Sequence, residues 1–224
     1  MNKKSLKISY IFNIIILILS LLACIIMFTG FQFMEGEYVL ASTKIGMLKF
    51  FTVDSNIFMG ITALLFAVQE KKLLKEKISE ISKRFYITKL MATTAVSLTF
   101  VIVFGYLGLI VEGGVIVLLM NSNLFFHLII PILSVLTFVL FEKTDKLKFK
   151  NVIYGIVPAF IYGIFYLINI LIHMENGKIS TEYDWYWFVQ GGVWQIIVVM
   201  PMLLGITYLI SLILWRLNKL KRVE

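Results

Sequence analysis

The residues to weigh first for chemistry are the polar ones inside long apolar runs, because a hydroxyl, imidazole or carboxylate there has little water to satisfy it. Thr52, Asn56 and Gly60 recur at i and i+4 with Ser55 alongside, giving one helix a small polar stripe, while Asp54 points elsewhere. Asn123, His127, Pro131 and Ser134 form a second stripe, and Tyr162, Tyr166, Asn169 and His173 a third; Gln195 stands near the start of the last apolar run. A hydroxyl beside a neutral imidazole is a minimal pair for acyl transfer, since an unassisted alcohol is a poor nucleophile and must lose its proton as it attacks. Thr52 and His127 each lie about one turn in from the outer ends of their expected helices, so packing would bring them to one level. Asn56, Asn123, Tyr166 and Gln195 are candidates to orient the ring or to donate to an oxyanion, and spacing does not choose among them.

Each of these residues also has a plainer role. A Thr in a membrane helix usually bonds its own backbone or a neighbouring helix. His173, at the outer end of its run, reads as a wet interfacial residue and as a competing base. Asp54 has three readings: a pair with Lys49, a protonated carboxyl, or a cation ligand. Pro131, Pro158 and Pro201 each free a helix carbonyl and introduce a kink. Cys24, the sole cysteine, reads as a small buried hydrophobe.

The elements that must position these side chains follow from apolar length. Runs at 10–31, 47–68, 86–111, 123–141, 152–173 and 192–215 each reach across about 30 Å of hydrocarbon at about 1.5 Å per residue. The expected fold is all-α, a bundle of six transmembrane helices forming one membrane domain over residues 1–224, with connections too short for a separate folded unit. Composition agrees: a chain that is 60% hydrophobic and 15% charged has more apolar surface than one soluble core of this size can hide. The first run follows Lys3, Lys4 and Lys7 but is too long for a signal peptide and lacks a small-residue cleavage pattern, so it counts as a span.

Basic residues fix the expected orientation. With the N-terminus inside, Lys3, Lys4 and Lys7, the 71–89 cluster, the 143–150 cluster, and Arg216, Lys219, Lys221 and Arg222 all fall inside. Of the 21 basic residues only Lys44, Lys49 and Lys178 fall outside, so both termini are expected in the cytoplasm. The outer connections carry Glu35, Glu37, Glu112, Glu175, Glu182 and Asp184, and the aromatic run from Tyr183 to Phe188 stands where an interfacial belt would lie. The net charge of +8 sits in short clusters between spans, which argues against nucleic acid and for contact with anionic lipid. No phosphate-cradling loop, zinc motif or nucleotide fingerprint occurs, and no cofactor or metal is expected. The Lys and Ile bias is compatible with an AT-rich bacterial genome, which makes a bacterial cytoplasmic membrane the expected location.

Lys49-Phe50-Phe51-Thr52-Val53-Asp54-Ser55-Asn56 at the second span, His127 with Pro131 in the fourth, and Pro158, Tyr162 and Tyr166 before an outer aromatic run together resemble the Pr6Pr family of bacterial membrane proteins. That family is similar to the androgen-induced protein and the androgen-dependent TFPI-regulating protein of animals, six-span hydrolases that cleave fatty-acid esters of hydroxy fatty acids with a Thr nucleophile and a His. Carried across by motif, the resemblance implies Thr52 as nucleophile and His127 as its partner, with a lipid ester as substrate. The chain departs from the animal proteins at Leu128, where they have Thr, and in the spacing from His127 to Pro131. The alternative expectation, from another class, is a small transporter or ligand sensor using Asp54, His127 and His173 as ion or proton sites.

Overall fold

The computed structural model describes residues 3–36, 39–189 and 192–220. Glu37, Lys221 and Arg222 from the reading above lie outside them. Six helices are long and apolar enough to cross a membrane: α1 (Lys3–Thr29), α2 (Phe51–Leu74), α3 (Lys83–Ile110), α4 (Ser122–Phe141), α5 (Phe149–Ile172) and α6 (Ile196–Lys219). The described residues contain no strand beyond an isolated bridge between Glu175 and Lys178. The chain is thus an all-α protein whose six apolar helices mark it as integral to a membrane.

Helix ends differ from the apolar runs mainly on the basic side. α1 begins at Lys3 rather than near residue 10, α2 continues to Leu74 rather than 68, and α6 to Lys219 rather than 215. Lys, Leu and Arg are good helix formers, and their heads reach water while the helix continues, so the helix does not stop where apolarity does. At the other side α2 starts later than expected. Residues Lys44–Lys49 form a tight 3-10 helix and Phe50 is extended, so the α-helix begins only at Phe51.

α3 is the centre of the bundle and packs against α2, α4, α5 and α6. Its run from Ala92 to Thr99 is buried at every position, the pattern of a helix surrounded on all sides. Its small residues suit that place, because lipid is as apolar as the core and association depends on close backbone approach rather than on escape from water. Gly60 of α2 meets Ser20 of α1 in this way: a Cβ on Gly60 would stand 2.9 Å from Ser20 Cβ. One apolar cluster, including Ile16, Val53, Met59, Val96, Phe126 and Ile130, fills the space among α1 to α4. A second, with Phe66, Tyr86, Leu90, Phe138 and Leu214, fills the inner end. The outward faces carry Ile18, Leu21, Ile25, Phe165, Ile172 and Ile197 in exposed positions, an apolar surface that suits acyl chains and not water.

Candidate active site

Thr52 stands in the first turn of α2, not a full turn in as its apolar run suggested, because Phe50 is extended and the helix opens one residue later. The amides of Val53 and Asp54 both reach Phe50 O, at 3.0 and 3.2 Å, while those of Phe51 and Thr52 precede the first intrahelical bond and are left over at the positive end of the helix. The Thr52 carbonyl is held by Ser55 Oγ at 3.0 Å and Asn56 Nδ2 at 2.8 Å, and Ser55 Oγ lies 3.3 Å from Thr99 Oγ1 on α3. Side chains from two helices therefore fix the backbone beneath the hydroxyl.

Tyr186 closes on this helix end. It is 6% exposed, and its hydroxyl lies beside the Thr52 side chain, the amides of Phe51 and Thr52, and Tyr162, with no aligned hydrogen bond to any of them. Burial pushes the phenol from its ordinary 10.0 up to about 12, against the opposing pull of those neighbouring donors, so it is a neutral donor at physiological pH. Within the aromatic run expected at the interface, Asp184 and Tyr186 turn inward while Tyr183, Trp185, Trp187 and Phe188 are half-buried. Its hinge is Asp184, 1% exposed, which accepts from the Tyr166 hydroxyl, from Phe188 N at 2.9 Å and from Val189 N at 3.0 Å. Asn169 Nδ2 bonds Tyr183 O at 2.8 Å, Trp185 Nε1 bonds the Tyr162 hydroxyl at 3.1 Å, and that hydroxyl donates to Lys49 O at 2.6 Å. Asp184 is thus an internal acceptor rather than a surface charge, and satisfying three donors is what draws the loop in.

Thr52 and Tyr186 border a cavity of about 60 Å³ lined by Thr99, Ile102 and Leu107 of α3, Tyr162, Gly163 and Tyr166 of α5, and Met200 and Leu203 of α6. Its walls are apolar apart from the hydroxyls gathered near Thr52. The volume is well short of the roughly 300 Å³ at which ligand pockets begin, so a long chain requires a helix to move. α6 is the loosest wall, with 11% of its apolar stretch buried.

His127 lies on α4, in a wide π-type turn spanning Phe125–Ile129. It is fully buried. Nδ1 stands 2.5 Å from Leu118 O; a carbonyl only accepts, so Nδ1 carries the proton and Nε2 of the neutral ring presents a lone pair. Nε2 has no partner. Pro131 shapes this turn, since in the wide register its missing N–H leaves Phe126 O without a helical donor. Asn56 Nδ2 reaches that oxygen at 3.3 Å while also bonding Thr52 O. Asn56 therefore bridges the backbone under Thr52 to the residue next to His127, and no helix intervenes between α2 and α4. Among the described residues, no hydrogen bond joins the Thr52 hydroxyl to the imidazole itself.

The other residues singled out in the sequence divide between structural and outlying places. Asn123 Nδ2 bonds Val39 O at 2.8 Å and ties down the first outer loop. Tyr166 holds Asp184 at the cavity wall. Gln195 stands in the turn leading into α6, away from the cavity lining. Asp54 is half-buried and forms no salt bridge among the described residues; Lys49 instead lies 5.2 Å from the Phe50 ring and 5.5 Å from that of Trp185. His173 stacks on Tyr183 at 3.7 Å. Tyr186 and Asp184 escaped the sequence reading because their types fit an interfacial loop, and only the inward fold of that loop gives them their place. Comparison with known family models, curated proteins and solved structures found no match to this chain.

Proposed function

We propose that this protein is an intramembrane lipid-ester hydrolase of the bacterial plasma membrane, with Thr52 as nucleophile and a fatty-acid ester of a hydroxy fatty acid, or a similar lipid, as substrate. The observation that carries the reading is the placing of Thr52: a hydroxyl at the wall of an apolar cavity, at the positive end of a helix, beside a neutral buried phenol. The motif resemblance supports the same assignment.

The acyl chain lies along the apolar wall between α3 and α6, with its ester carbonyl at Thr52. Thr52 Oγ1 attacks the carbonyl carbon, and its proton passes to the free lone pair of His127 Nε2 on the adjoining helix. Negative charge gathers on the former carbonyl oxygen, where the Tyr186 hydroxyl and the first-turn amides of α2 donate to it. Collapse breaks the ester C–O bond, the departing alkoxide takes the proton from His127, and an acyl-Thr52 remains. Water then gives a proton to His127 and attacks the acyl carbon, releasing the fatty acid and restoring the Thr52 hydroxyl with that proton. Asn56 keeps α2 and α4 in register throughout.

Purified protein offered a panel of lipid esters tests this. Turnover is expected in the wild type, none in Thr52→Ala, and a loss of about 10²- to 10⁴-fold in His127→Ala. Equal turnover in all three proteins, or none in any, would remove the reading.

A further inference from the structure

At the inner end of the bundle, five polar side chains that the ester chemistry does not use converge from four helices. Ser9 and Asn13 come from α1, Glu70 from α2, Lys89 from α3, and Glu142 follows the last residue of α4. Glu70, Lys89 and Glu142 are all 0% exposed. Lys89 Nζ stands 3.0 Å from Glu142 Oε1 and also donates to Asn13 Oδ1. Asn13 Nδ2 donates to Glu142 Oε1 at 2.8 Å and to Glu70 Oε2 at 3.0 Å, and Ser9 Oγ donates to Glu142 Oε1 at 3.3 Å. One oxygen of each carboxylate, Glu70 Oε1 and Glu142 Oε2, is buried with no hydrogen-bond partner among the described residues.

The charge count does not close. Two carboxylates share one amide donor and face one ammonium, and a charge withdrawn from water without compensation is strongly unfavourable. Among the described residues no other ammonium or guanidinium pairs with either carboxylate. α1 presents only Ser9 and Asn13 to the cluster, α2 adds the Phe66 ring 5.4 Å from Lys89 Nζ, and α6 adds Asn218, whose Nδ2 donates to the Glu142 carbonyl at 3.0 Å. α3 adds Tyr86, a neutral phenol near both carboxylates and beside Thr144, and the carboxylate of Glu80 lies further off. Tyr86, Thr144 and Asn218 also line a cleft of about 630 Å³ at the inner face, where Lys3, Lys143, Lys146 and Lys219 stand beside Glu80 and Asp145. The cluster therefore has a missing positive charge, two open acceptor oxygens and, beyond the Tyr86 ring, a polar cleft.

We propose that Glu70 and Glu142 form a binding site for one monovalent cation, a proton or a sodium-sized ion, taken up from the inner face past Tyr86. The site is independent of the chemistry at Thr52 and stands or falls separately. Bound there, the ion neutralises the seam where α1, α2, α3 and α4 meet.

Thermal unfolding of the full-length protein in detergent micelles tests the site. Melting is followed from about pH 5 to about pH 9 in a choline buffer, and then with sodium, potassium or choline chloride at constant ionic strength. A proton site makes the wild type more stable as pH falls in choline; an alkali-ion site makes it more stable on adding sodium at fixed pH. In either case Glu70→Gln, which leaves one carboxylate opposite one ammonium, is expected to lose that dependence, and Glu142→Gln to lose it likewise should the first variant fail to accumulate. Glu80→Gln, at an exposed carboxylate, keeps it. In the wild type alone, radiolabelled sodium retained by the protein, or an infrared band from a protonated carboxyl slow to exchange with deuterium, is the direct signature. A wild type indifferent to both ions, or a folded Glu70→Gln retaining the full dependence, overturns the proposal.

Discussion

Three side chains carry the chemistry proposed here, and each makes a separable expectation. Tyr186→Phe removes only a hydroxyl from a buried ring, so the variant should fold, form acyl-Thr52 slowly and lose about 10²- to 10³-fold in kcat, the typical cost of one oxyanion donor. Steady-state kinetics that show KM alone rising would place the phenol in binding instead. Tyr186 also predicts an alkaline limit. Its proton is held more tightly in the folded protein, up to about 12, than at its ordinary 10.0. The stability this confers is fully present below pH 10 and is lost as pH rises through about 12. Chemical denaturation should therefore show the wild type losing stability over that window and Tyr186→Phe losing less. Thr52 and His127 draw the sequence reading because a hydroxyl and an imidazole stand out inside apolar runs. Tyr186 was not, since an aromatic residue in an outer connection is the ordinary composition of an interfacial belt, and its role comes from contacts with residues more than a hundred positions away.

The inward fold of residues 183–189 rests chiefly on Asp184, which holds one α5 hydroxyl and two loop amides. Asp184→Ala leaves those buried donors unpaired at about 1–3 kcal/mol each. Hydrogen exchange should rise at Phe188 and Val189 while α1 to α3 keep their protection; unchanged exchange there would mean that aromatic packing alone seats the loop. Gly60 is the matching test within the membrane. Gly60→Val forces α1 away from α2 at Ser20, and overpacking of that kind costs about 1–3 kcal/mol, read as a lower midpoint on unfolding. Span number and approximate position follow directly from apolar length, so the sequence carried them well. Helix ends were less legible, because a basic helix continues past the hydrocarbon and because the 3-10 turn at Lys44–Lys49 shares its composition with α2.

For the molecule as a whole, an even number of spans puts Lys3 and Leu220 on one side, and the distribution of Lys and Arg predicts that side to be cytoplasmic. Single cysteines at Lys77 and Lys150 should react with an impermeant thiol reagent only after the membrane is opened, and one at Lys178 should react in intact cells; the reverse pattern would invert the bundle. Lys89 shows where charge counting stops being informative. It belongs with the inner basic residues by position, yet it is wholly buried against Glu142, and a sequence does not disclose that four helix ends converge there. Lys89→Met is expected to destabilise the protein by about 3–5 kcal/mol, the usual cost of stranding a buried partner. The central claim remains that an ester is cleaved through a covalent bond to one hydroxyl. Its most direct test is mass spectrometry of full-length protein in lipid nanodiscs, quenched soon after exposure to a slowly hydrolysed acyl ester. The expected result is an acyl mass on the peptide carrying Thr52, absent from Thr52→Ala. Ester cleavage with the acyl group on another residue, or on none, would contradict it.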